Sequence, residues 1–112
     1  MIKAVIKKHN QSIVQVTVSG HAQSAEYGKD LVCAGVSTIC VGIANALVQY
    51  QFLSQHLGTI DLKEGLIDIK VHQDNEQIQV VLGTFEVMLK TVEESYSKYM
   101  KIEKMEVWNH DV

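Results

Sequence analysis

Residues 31–48 set the strongest limit on what this chain can fold into. They form its longest apolar stretch, interrupted only by Ser37, Thr38 and Asn45. Val32, Val36, Ile39, Ile43 and Leu47 recur at helical spacing as one apolar stripe, while Cys33, Ser37, Cys40 and Ala44 follow a second face. A helix with apolar or small residues on two faces needs cover on two sides. A sheet supplies one cover, and a second helix or a dimer partner the other. The stretch is nearly long enough to span a bilayer, but its polar interruptions and its many Ala and Gly residues read as a buried helix of a protein with no membrane partner.

The flanking pattern supplies the sheet. Ile2 to Lys8 and Ile13 to Ser19 show two-residue periodicity around the polar His9-Asn10-Gln11-Ser12, which predicts a hairpin. Gly20 ends the second strand and Gly28 breaks the following loop, and Asp30 is a natural N-cap for a helix from Leu31 to about Leu53. Thr59 to Leu62 and Leu66 to His72 flank Gly65 as a second hairpin. Asp74 then caps an amphipathic helix from about Asn75 to Lys98, and Ile102 to Trp108 forms a last strand. The order ββαββαβ predicts an α+β fold, a mainly antiparallel sheet packed with two helices, in a single domain over residues 1–112.

Composition excludes several function classes. A net charge of -3 with no basic stripe argues against direct nucleic-acid binding. The N-terminus reads as a strand of a cytoplasmic protein rather than a secretory signal. Cys33 and Cys40 lie about 10 Å apart on one helix, too far for a disulfide, and stay reduced. Together with His21 they lack the close spacing of a zinc site, so no metal or cofactor is expected.

Two readings of Cys33 stand side by side. It is either a buried small hydrophobe or, at the third position of a helix, a thiol activated by the helix dipole and free amide hydrogens. Cys40, two turns further in, reads as a buried hydrophobe. His21, where the second strand gives way to the loop leading to Cys33, is placed to take the thiol proton and return it to a leaving amine. Ser37, one turn after Cys33, can donate a hydrogen bond to the sulfur or to a structural group. His9, His56, His72 and His110 read as surface residues, and Phe85, Tyr96 and Tyr99 as core and rim packing.

At these residues the chain resembles the ribosomal-processing cysteine proteases, the Prp family. Their G-H-A-x-x-A-x-x-G-x-D-x-V-C-A-A-V-S signature is met by Gly20-His21-Ala22, Ala25, Gly28, Asp30, Val32-Cys33-Ala34 and Val36-Ser37. Gly35 departs, standing where the family usually has alanine, and Ser97 stands where a proline is common. The resemblance implies a homodimeric cysteine endopeptidase with Cys33 as nucleophile and His21 as base. It implies support from Asp30, Ser37 and Gly20, and a substrate-binding loop that includes Gly20, Ala22, Ala25 and Gly28. It further implies a substrate, the N-terminal extension of large-subunit ribosomal protein L-twenty-seven. The alternative is a non-enzymatic, ribosome-associated or protein-binding module that uses the same loop and helix.

Overall fold

The computed structural model describes residues 1–20 and 27–108. Strands β1 (Ile2–His9) and β2 (Ser12–Ser19) pair antiparallel across a two-residue turn. Asn10 and Gln11 both take positive φ, 49° and 73°, the combination that matches a tight hairpin to the twist of its strands. The register slips between Lys7 and Lys8, leaving Val14 as an extra residue in β2. This bulge lets Ile13, Val14 and Val16 all be buried despite the two-residue period.

Helix α1 (Tyr27–Gln49) follows, then the antiparallel pair β3 (Gly58–Lys63) and β4 (Leu66–Val71), helix α2 (Glu76–Ser95) and β5 (Met100–Glu106). The sheet order is β3-β4-β2-β1-β5, with β5 parallel to β1 and the other pairs antiparallel. The expected α+β order and mainly antiparallel sheet are therefore observed. Inward side chains of β1, β2 and β4 share one core with Val36, Ile43 and Leu47 of α1 and Ile78, Leu82, Phe85 and Leu89 of α2. Both helices thus cover the same face of the sheet. The opposite face carries Lys3, Thr17, Asp68 and Lys70, where Asp68 accepts hydrogen bonds from Gln15 and Thr17 at 2.8 Å each.

Helix boundaries differ from the sequence expectation. Helix α1 begins at Tyr27, so Asp30 lies inside its first turn and is not the cap, and Gly28 is helical rather than in the loop. It ends four residues early. Gln51 adopts φ 70°, with Gln51 N–H donating to the Val48 carbonyl and Phe52 N–H to the Leu47 carbonyl. That is a Schellman ending, closed by the fully buried pair Phe52 and Leu47. Helix α2 is capped by Asn75, whose side chain accepts from Ile78 N–H at 2.8 Å, in place of Asp74. Asp74 instead accepts from Gln79, whose amide also bonds the N–H and carbonyl of Ile13 beyond the end of the β4 pairing. Strand β5 ends at Glu106, leaving Trp108 outside it and 97% exposed.

Helix α1 also has an open side. Residues 31–49 are long and apolar enough to cross a membrane, and their inner stripe is core, yet only 33% of them are buried.

Candidate active site

A groove of about 410 Å³ runs between the N-terminal half of α1 and the end of the sheet formed by β2, β3 and β4. Helical spacing puts Cys33, Ser37 and Cys40 on one wall, because residues three and four apart share a face. The opposite wall is the β3–β4 turn with Gly20, and the floor is apolar, including Val18, Val36 and Ile67. Cys33 is half-buried there and Ser37 is exposed.

Gly20 fixes one corner of this groove. Its φ of 106° is closed to ordinary side chains, and a Cβ at this position would overlap the Met1 carbonyl oxygen. Its N–H donates to the Gly65 carbonyl at 3.0 Å. The glycine therefore joins the end of β2 to the start of β1 and to the β3–β4 turn. His21, the next residue in the chain, lies outside the described residues, as do Ala22 and Ala25. The side chain of Asp30 is likewise outside them.

The two thiols separate by environment. Cys40 is 6% exposed, and burial pushes its thiol up to about 11. It is the buried hydrophobe that the sequence predicts, although its edge reaches the groove. Cys33 is the seventh residue of α1 rather than the third. A helix-end field fades within the first turn, so the expected dipole activation of Cys33 does not hold. Its reactivity has to come from a neighbouring base and from access through the groove.

Other expectations change less. The His9 Nδ1 lies 3.2 Å from the Val107 carbonyl oxygen, which makes His9 a half-buried tie between the first hairpin and the end of β5. His56 takes φ 56° in the turn before β3, and His110 lies outside the described residues. Phe85 is core, Tyr99 is half-buried and Tyr96 is exposed. Leu62 and Gly65 as groove walls were missed in the sequence, because nothing local in β3 and β4 indicates that they face α1.

A half-buried thiol in an open apolar groove, on a helix packed over one face of a mixed sheet, leaves a nucleophile within reach of an extended substrate, as a cysteine hydrolase requires. Sequence comparison narrows the class: the chain belongs to the cysteine protease Prp family, whose profile matches residues 1–101. It is accordingly a cysteine protease. A Staphylococcus aureus protein named ribosomal processing cysteine protease Prp is 33% identical over 91 residues, 80% of this chain and 85% of the relative. A Bacillus subtilis protein of the same name is 29% identical over 110 residues, covering 91% and 96%. Among solved structures, the Staphylococcus aureus Prp with a covalently linked product peptide superposes with a TM-score of 0.78 at 30% identity, covering 93% of this chain and 99% of that one.

Proposed function

We propose that this protease removes the N-terminal extension of large-subunit ribosomal protein L-twenty-seven, with Cys33 as nucleophile and His21 as base. The observation that carries the reading is Cys33 exposed to a peptide-sized apolar groove whose rim is Gly20, the residue bonded to His21. The names of the relatives, and the peptide covalently linked to the Staphylococcus aureus enzyme, support ribosomal processing and attack on a peptide.

In this reading His21 takes the Cys33 proton as the sulfur attacks the carbonyl carbon of the scissile peptide bond. The tetrahedral intermediate collapses, the C–N bond breaks, and the proton passes from His21 to the departing amine. Water, deprotonated by His21, then attacks the thioester and releases the carboxylate product, and Cys33 recovers its proton. Ser37 and Asp30 are assigned the supporting role that the family motif implies, a reading supported for Ser37 by its position on the same groove wall one turn from Cys33. Gly20, Ala22, Ala25 and Gly28 belong to the substrate-binding segment, with Gly20 as its fixed end. The protein acts as a cytoplasmic homodimer. Membership of a cysteine protease family disfavours the binding-module alternative.

Incubation with the extended ribosomal precursor tests the assignment. The native protein shortens the precursor and Cys33→Ala does not; continued cleavage by Cys33→Ala overturns the role of Cys33.

A further inference from the structure

The charge of the Cys33 groove comes from one turn. Among its described lining residues only Lys63 and Glu64 are charged, and both belong to the hairpin that joins β3 to β4. Helix α1 adds none to the opposite wall, since no Asp, Glu, Lys or Arg occurs from Leu31 to Ile60. Lys63 is answered by Asp61, two residues back on β3, at 3.7 Å. Glu64 is exposed and has no such partner among the described residues, so its carboxylate leaves the rim acidic.

That carboxylate is carried on a fixed support. Lys63 pairs with Leu66, leaving Glu64 and Gly65 as a two-residue turn, with Gly65 at φ 76°. The Gly65 carbonyl accepts from Gly20 N–H at 3.0 Å, which holds the turn against the corner of the groove. The floor below is apolar, with Val18, Val36 and Ile67. Apolar walls concentrate the field of a charge at their mouth, so an unanswered carboxylate there selects for a cation more strongly than one on an open surface. A turn fixed in advance also loses little freedom when that cation arrives.

The proposed substrate supplies such cations, because a ribosomal protein carries Lys and Arg to neutralise RNA phosphates. We propose that Glu64 determines specificity: its carboxylate pairs with a Lys or Arg of the substrate within a few residues of the scissile bond, while apolar side chains occupy the floor. This inference rests on the protease reading above and deepens it. An exposed pair of this kind contributes up to about fivefold in kcat/KM.

Peptides of the extended precursor that carry a single Lys test it, the Lys being moved one position at a time along both flanks of the scissile bond, with Gln and Glu as controls. Native protein should favour Lys over Gln by about fivefold in kcat/KM at one position or two neighbouring ones, and nowhere else. Glu64→Gln should erase that preference and Glu64→Lys should turn it toward Glu. Both variants change an exposed side chain, so folding is preserved and is checked by circular dichroism. Salt at about 1 M should flatten the preference. No preference at any position overturns the proposal, as does one that survives in Glu64→Gln or is unchanged by salt. Binding of the labelled peptides to Cys33→Ala, read by fluorescence anisotropy, separates this from failure of the protease reading. Native protein that cleaves no peptide refutes that reading alone, while Glu64 still predicts tighter binding of the Lys peptide. Equal affinities for the Lys and Gln peptides overturn the role of Glu64.

Discussion

Replacing Gly20 with alanine should unfold the corner that holds the groove together. At φ 106° an L side chain is strained, at a cost of about 1–2 kcal/mol for left-handed backbone. The added Cβ also overlaps the Met1 carbonyl, and moving the backbone to relieve it weakens the Gly20 N–H bond to the Gly65 carbonyl, worth about 1 kcal/mol. The total is about 2–3 kcal/mol, which for a domain of this length lowers Tm by about 10 °C. Gly83 is the control, because it is helical with nothing within 4 Å of an added Cβ. Gly83→Ala should gain up to about 1 kcal/mol from helix propensity alone. Thermal melts followed by circular dichroism read both. A Gly20→Ala melt within about 2 °C of the native protein refutes the strain argument.

Two further outcomes follow from the same structure. Iodoacetamide should label Cys33 in the folded protein at least about tenfold faster than Cys40, because a thiol near 11 is only about one part in a thousand thiolate at pH 8. Peptide mapping reads the ratio, and equal labelling contradicts the assigned burial of Cys40. Glu86 is the second case. Burial raises its carboxyl, but hydrogen bonds and charge from Lys8 at 3.0 Å and Lys104 at 3.2 Å outweigh that and hold it below the ordinary 4.5. A depressed pKa contributes stability above 4.5 and loses it as the pH falls through the folded value. Glu86→Gln should therefore cost about 1 kcal/mol at pH 7 and progressively less as the solution is acidified below 4.5. A cost independent of pH would contradict it.

The element order was legible because periodicity changes from two to 3.6 at clear punctuation. Helix ends were not, and α1 shows why. An acidic residue is favourable both as a cap and within the first turn, so Asp30 could not say which it was. At the other end Gln51 occupies the left-handed position usually held by glycine, and the helical pattern runs on past the real stop at Gln49. The signature around Cys33 was legible as a motif. Its chemistry was less so, since moving the helix start by four residues takes Cys33 out of the helix-end field. The groove was beyond local reading because its second wall, the β3–β4 turn, meets α1 only through the sheet order.

The account turns on a bond between Cys33 and the acyl half of its substrate. Rapid acid quenching of the native protein with an extended precursor peptide, followed by mass spectrometry of the fragment containing Cys33, measures it directly. The native protein should carry an adduct on Cys33 heavier by the mass of the carboxylic acid product less one water, and the His21→Ala variant, which lacks the group that takes the thiol proton and protonates the departing amine, should form it far more slowly. An adduct on Cys40, or rapid peptide cleavage with Cys33 never acylated, contradicts it.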